Sequence, residues 1–285
     1  MGQAKQRRAR FLEAHPWCCF CGGRVASDTI DHVPNRACFH GRNGPDGFEF
    51  PACQKCQNAL RQEEQFFAFM CHLSDRDKRN DDSESSKKLI RGVVNNLPDL
   101  VPRIVRSSIE RRKGLRHLGI ERPTGLPLSE FPMVELPVGV DPVIRKATIK
   151  IGLALYYRHK SVAAPSTHMA AAFWAQYSDK NSMSRFAQVI RDLPNFQQGK
   201  RRNLEFGNRF SYAWNVQDDG EPDIFFAVSK FGNGLMICNI LAEDRVFLDE
   251  EPDSSWISVG DFSSATYPPA WEAMGAGWVG SQFQS

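Results

Sequence analysis

The sequence has no long run of apolar residues. Its longest run, Ile151 to Tyr157, is far shorter than the roughly 20 residues that a membrane-spanning helix requires. The basic N-terminus is not followed by the apolar segment that characterises a secretory signal. We therefore expect a cytoplasmic protein that has no membrane partner.

Several catalytic motifs and a strong net charge are also missing. The sequence contains no phosphate-binding glycine loop, no dinucleotide fingerprint and no nucleophile elbow. Its net charge of +3 is too small to indicate a nucleic-acid partner by itself. Basic residues are instead concentrated in Lys5–Arg10 and in Arg103–Arg116. The second of these segments suits either DNA or the docking of a protein partner.

Cysteines are concentrated near the N-terminus, where they form two CxxC pairs. A CxxC pair places two thiolates on one tight turn, and two such pairs supply the four ligands of a structural zinc ion. Cys19 is an alternative to Cys18, but it would leave a CxC spacing with poor geometry. We therefore predict a Zn²⁺ site whose ligands are Cys18, Cys21, Cys53 and Cys56.

An acid and an imidazole stand side by side between the two pairs, at Asp31 and His32. Their β-branched neighbours predict a short strand over residues 29–33. Hydrolysis of a phosphodiester needs a base that deprotonates water and a Lewis acid that acts on the phosphate. Neutral histidine suits the first task, and a divalent ion held by oxygen ligands suits the second.

The two CxxC pairs with Asp31 and His32 between them resemble the HNH (ββα-metal) endonucleases. The run from His15 to Gly23, the Thr29–Pro34 run and the Phe48–Cys53 segment are similar to a bacterial subfamily with a CxxC…DH…CxxC pattern. Gly152–His159 is similar to a C-terminal helix of the same group. The resemblance implies a treble-clef module in which His32 is the general base and Asp31 binds Mg²⁺ or Mn²⁺. It also implies a role in phage defence or in a mobile element.

The family places a second metal ligand, an Asn or His, directly after the second CxxC pair. This chain has Gln57 at that position and Asn58 one step later. One step along a helix rotates a side chain by about 100°, so the two amides cannot be equivalent. We prefer Asn58 as the ligand and retain Gln57 as the alternative.

The composition divides the chain into three segments. Residues 1–75 form the zinc and nuclease module, residues 76–88 are a polar linker, and residues 89–285 form a mixed domain. We predict an α+β protein whose helical region is followed by a small antiparallel sheet from about residue 205. In the first segment, 53–72 is a predicted helix. In the mixed domain, 90–105, 143–157, 169–177 and 184–190 are predicted helices, and 232–234 is a predicted hairpin turn.

The expected function is metal-dependent cleavage of DNA, with a monomer nicking one strand. Five arginines are the predicted DNA contacts: three on a basic N-terminal helix and two in the loop after the strand, namely Arg7, Arg8, Arg10, Arg36 and Arg42. Two alternatives stay open: a non-catalytic zinc module that binds DNA or a protein, and a nuclease that acts on RNA. Residues 89–285 are the expected region for a protein partner or a dimer contact.

Overall fold

A computed structural model of the chain describes residues 2–75, 83–121, 127–128, 133–191, 197–199, 209–217, 224–243, 256–262 and 264. The fold class is α+β, as predicted. The helices are α1 (Gln3–Ala14), α2 (Gln54–Ala59), α3 (Arg61–Ser74), α4 (Ser83–Asn96), α5 (Ser108–His117), α6 (Val140–Lys160) and α7 (Lys180–Arg191). The strands are β1 (Thr29–His32), β2 (Glu49–Ala52), β3 (Arg103–Ile104), β4 (Val134–Glu135), β5 (Met169–Gln176), β6 (Gln197–Gly199), β7 (Phe210–Gln217), β8 (Ile224–Phe231), β9 (Leu235–Ala242) and β10 (Trp256–Ser258). Within the described residues, no helix combines the length and the apolar character that crossing a membrane requires.

The N-terminal region consists of α1, the cysteine knuckle of residues 17–24, a β-hairpin, α2 and α3. Strands β1 and β2 pair antiparallel, with Thr29 opposite Ala52 and His32 opposite Glu49. Cys53 caps α2, because its sulfur accepts the backbone N–H of Cys56. The sequence predicted one helix over 53–72, but the helix breaks at Leu60, which separates α2 from α3.

The larger sheet has six antiparallel strands in the order β10-β5-β9-β8-β7-β6. The prediction of a helix over 169–177 was wrong, because β5 occupies Met169–Gln176 and the sheet therefore begins well before residue 205. Ala170 and Ala172 belong to the core beneath α6, whereas Ala171 and Phe173 belong to the smaller core beneath α7. A strand buried on both faces has no polar alternation, so its composition does not distinguish it from a helix.

The central helix α6 connects the sheet to the N-terminal region. It packs against β5, β9 and α3, and its residues are buried along most of its length. Gly152 permits this approach, since a Cβ atom there would lie 2.7 Å from the Asn239 side chain of β9. One continuous apolar core contains residues from Phe20 of the knuckle to Phe262 near the last described strand.

The predicted linker falls partly outside the described residues, which omit 76–82. Residues 83–88 belong to α4, which continues to Asn96 and packs on α3. The helix predicted over 90–105 is therefore α4, which starts and ends earlier in the sequence than predicted. A short 3-10 turn at Pro98–Leu100 follows α4. The division into two domains stays a prediction. Helix α7 and the turn at 232–234 agree with the sequence-based expectations.

Candidate functional site

The four predicted zinc ligands lie together. The sulfur atoms of Cys18, Cys21, Cys53 and Cys56 are all within 4.8 Å of one another, and all four residues are buried. Tetrahedral zinc with Zn–S distances of about 2.3 Å requires sulfur separations of about 3.8 Å. The four cysteines can therefore hold a metal ion such as zinc.

Hydrogen bonds around and between the sulfurs favour thiolate character at Cys21. The sulfur of Cys18 accepts the backbone N–H of Phe20, and that of Cys53 accepts the N–H of Cys56. Side-chain hydrogen bonds with Cys18 and Cys56 lower the pKa of Cys21 to about 2, and the same bonds raise the pKa of Cys18 to about 12 and also raise that of Cys56. A metal ion displaces the protons that the remaining thiols share, because it binds thiolates.

Cys19 does not join this cluster, although it neighbours Cys18 in the sequence. It is fully buried, and this burial raises the pKa of its thiol well above the usual value. Its sulfur is not part of the group of four ligand atoms that lie within 4.8 Å of one another. The spacing argument that preferred Cys18 over Cys19 therefore agrees with the geometry.

His32 lies on the wall of an open cleft of about 670 Å³, formed between α1, the end of β1 and the loop that precedes β2. We call this the arginine cleft. Its lining includes His32, Arg7, Arg36, Arg42, Asp46 and Glu49. Arg42 adopts a left-handed backbone (φ 56°), which is uncommon for a residue other than glycine and is typical of functional loops.

The electrostatics of the cleft favour a neutral His32. Burial lowers the pKa of its imidazole, and the positive charge of Arg36 lowers it further. Glu49, its cross-strand neighbour, opposes this shift and also accepts a hydrogen bond of 2.7 Å from Arg7. A neutral imidazole is able to accept a proton at neutral pH.

Asp31 does not face the cleft with His32. It is 7% exposed, and its Oδ2 atom lies 2.7 Å from the Nζ atom of Lys150 in α6. The other oxygen, Oδ1, accepts the backbone N–H of His32 at 2.9 Å. Glu64 of α3 binds the same ammonium group at 2.7 Å. Successive strand residues point to opposite sides, and here they separate the acid from the imidazole.

The two amides after the second CxxC pair also occupy different environments. The Gln57 side chain accepts a hydrogen bond from Thr29 Oγ1 and donates one to the Ile30 carbonyl, so it braces β1. Asn58 is exposed on α2. Asp31 Oδ2 is ion-paired with Lys150, while Asp31 Oδ1 and the Gln57 amide are hydrogen-bonded. Because a cation already lies against Asp31, these residues in this arrangement do not fit a divalent ion. The choice between Asn58 and Gln57 as a ligand stays a prediction.

The predicted DNA-contacting arginines separate into two groups. Arg7, Arg36 and Arg42 line the cleft. Arg8 instead donates to the Asp28 carbonyl, and Arg10 is exposed on α1. In the second basic segment, Arg103 pairs with Glu135 and Glu110, and Arg111 donates to the backbone carbonyls of Val105 and Leu128. Those two arginines therefore stabilise local structure.

Sequence reasoning missed the residues that α6 contributes to this region. Lys150 pairs with Asp31, and Arg158 lies over the Phe48 ring and donates to the carbonyl of Gly47, a cleft residue. A lysine within the mostly apolar stretch 147–155 was the available signal. A lone lysine there is equally compatible with an exposed position, so its partners could be identified only from the tertiary structure.

Comparisons of the chain with family models, with curated proteins and with solved structures found no match.

Proposed function

We propose that this chain is an HNH-type nuclease that hydrolyses a phosphodiester bond of DNA in the arginine cleft. The observation that carries the proposal is the placement of His32. Its imidazole, whose pKa burial lowers, lines a cleft with three arginines, on a β-hairpin that lies beside the four-cysteine cluster. In this proposal the knuckle, hairpin and α2 form a treble-clef core that zinc stabilises.

His32 and the arginines of the cleft have chemical roles in this proposal. Arg36 and Arg42 bind the phosphate, because the guanidinium group forms paired hydrogen bonds with its oxygens. His32 takes a proton from the attacking water as a bond forms between that water oxygen and phosphorus. The ester bond to the leaving oxygen breaks, the cleft arginines offset the negative charge that develops, and the leaving oxygen takes up a proton from solvent water. No step is assigned to a divalent ion on Asp31.

A non-catalytic zinc module that binds DNA or a protein is the second candidate. One observation favours it: the side chains expected to hold the catalytic ion have protein partners instead. Asp31 pairs with Lys150, and Gln57 bonds to β1. A module of this kind would bind DNA through the cleft arginines in a salt-dependent manner without cutting it.

The deciding experiment incubates zinc-loaded protein with supercoiled plasmid in the presence of Mg²⁺, of Mn²⁺ or of neither ion. We expect conversion to open-circle DNA, since one site cuts one strand. His32→Ala, with its zinc content verified, should abolish the conversion. His159→Ala is the matched control, because that imidazole stacks on Trp214, packs beside Tyr212 and does not line the cleft.

Three results would each contradict a part of this proposal. Intact plasmid under all three conditions, together with salt-dependent binding, would establish the non-catalytic alternative. Cleavage that persists in zinc-loaded His32→Ala would remove the assigned base. Faster cleavage of a matched single-stranded RNA than of DNA would establish the RNA alternative.

A further inference from the structure

The ammonium group of Lys150 is enclosed by residues of the N-terminal region. Its side chain is 1% exposed, and its Nζ atom lies 2.7 Å from Asp31 Oδ2 and 2.7 Å from Glu64 Oε1. The ring of Phe20, within the cysteine knuckle, has its centroid 5.3 Å from the same nitrogen. Three separate elements, β1, α3 and the knuckle, thus converge on one side chain of α6.

Burial of a charge is costly unless partners of opposite charge compensate it. Burial lowers the pKa of Lys150, but the attraction of Asp31 and of Glu64 outweighs this effect, and the net change is upward. The two carboxyl groups that lie 2.7 Å from the nitrogen compensate its buried charge. Two carboxylates that face one buried cation from different elements also resemble the ligand arrangement of a divalent ion.

The centre extends beyond the ion pairs. Asp31 Oδ1 accepts the backbone N–H of His32. Burial raises the pKa of Glu64, and the charge of Lys150, followed by side-chain hydrogen bonding with Lys150 and Asn35, opposes this shift. Asn35 also begins the loop that carries Arg36, and its Oδ1 atom accepts the backbone N–H of Ala37. Lys150 therefore contacts Asp31, whose neighbour His32 lines the cleft, and Glu64 of α3.

We propose that Lys150 is the resident cation of this site, and that its ammonium group occupies the position between Asp31 and Glu64 that a divalent ion would take. Asp31 is then a positioning residue that holds the backbone of His32, and it binds no Mg²⁺ or Mn²⁺. The proposal rests on the proposed function only for the catalytic role of His32. The pairing itself is independent of whether the chain cuts DNA.

Binding of Mn²⁺ tests this assignment without a nuclease assay. Electron paramagnetic resonance of free Mn²⁺ is recorded on zinc-loaded wild-type protein, Asp31→Asn, Lys150→Gln and the double variant. Wild type and Asp31→Asn should bind Mn²⁺ equally. Lys150→Gln removes the ammonium and should gain a Mn²⁺ site, which the double variant should lack. Lys150→Arg keeps a cation and should gain none.

Two outcomes would overturn the assignment. The first is a Mn²⁺ site in wild type that Asp31→Asn abolishes. This comparison uses only proteins that retain Lys150, so it does not depend on the folding of Lys150→Gln. The second is a folded, zinc-containing Lys150→Gln protein that gains no site dependent on Asp31. Neither outcome bears on plasmid cleavage. Conversely, intact plasmid with the expected Mn²⁺ binding would reject the nuclease while leaving Lys150 as the resident cation.

Discussion

A hydrogen bond joins Tyr157 of α6 to His15, the residue that follows α1, although the two lie 142 positions apart in the sequence. The Tyr157 hydroxyl and His15 Nδ1 are 2.8 Å from each other, and the two rings meet edge to face. The next residue of α6, Arg158, donates to the Gly47 carbonyl beside the cleft. The C-terminal end of α6 thus stabilises the N-terminal region at two points.

We expect Tyr157→Phe to lower the free energy of unfolding by about 0.5–1.5 kcal/mol, since it removes one partly buried hydrogen bond and little packing. Urea denaturation of Tyr157→Phe, of His15→Ala and of the double variant measures the coupling. The double variant should lose less than the sum of the two single losses. Additive losses would show that the contact contributes nothing measurable.

Cys53→Ser should lose zinc and much of the stability of the N-terminal region, because it removes one of four ligands. The apparent binding free energy of structural zinc is about 10–16 kcal/mol in small modules. Metal analysis and thermal unfolding give the two readouts. Cys19→Ala is the matched control, and it should retain zinc because its buried thiol lies outside the cluster. Zinc loss in that control would reject the assigned ligand set.

Arg36→Ala should weaken binding to DNA and reduce the slope of log affinity against log salt by about one unit, since one phosphate contact is lost. Fluorescence anisotropy with a labelled duplex at several salt concentrations measures both quantities. Arg10→Ala removes the same charge from α1 but outside the cleft lining. Equal effects of the two substitutions would show that the cleft is not the binding surface.

Gly152→Ala should destabilise the protein by about 1–3 kcal/mol, because the new methyl group overpacks the contact between α6 and β9. Its Cβ atom would lie within 2.8 Å of three side-chain atoms of Asn239. Gly92→Ala in α4 is the matched control: its Cβ would meet only the flexible end of Gln65. We expect that control to be neutral or stabilised by about 0.5–1 kcal/mol, as helix propensity favours alanine. Thermal unfolding distinguishes the two.

Acid should destabilise the protein partly through His159. Burial, and then the charge of Arg158, lower the pKa of His159 to about 4, and its ring stacks on Trp214 at 3.9 Å. The unfolded chain, with an ordinary value near 6.5, binds this proton more readily. The contribution of neutral His159 to the free energy of unfolding is therefore complete above pH 6.5, falls as the pH decreases, and is lost below pH 4.

Because the ring is partly exposed, solvent screening limits this contribution to about 1–2 kcal/mol. Urea denaturation at several pH values between 7.5 and 4 measures how the free energy of unfolding depends on pH. In His159→Gln, the free energy of unfolding should depend less on pH than in wild type. Parallel curves for the two proteins would assign the acid sensitivity to other groups.

Local patterns predicted the parts of the structure that depend on neighbouring residues. The CxxC spacing at Cys53–Cys56 placed two thiols at the start of a helix, and alternation with a glycine-containing turn predicted the β8–β9 hairpin. Strand β5 was mistaken for a helix because burial on both faces erased its alternation. Leu60 ends α2 in a buried position that composition alone does not mark.

The sequence by itself determined the four-cysteine cluster and the adjacency of Asp31 and His32, because both follow from short-range spacing. Only the tertiary structure decided that His32 opens onto a cleft while Asp31 pairs with Lys150. Strand geometry directs adjacent side chains to opposite faces. The charged partner that Asp31 meets on the buried face, however, belongs to a helix more than a hundred residues later in the sequence. Long-range packing of α6 selects that partner, and no local pattern encodes it.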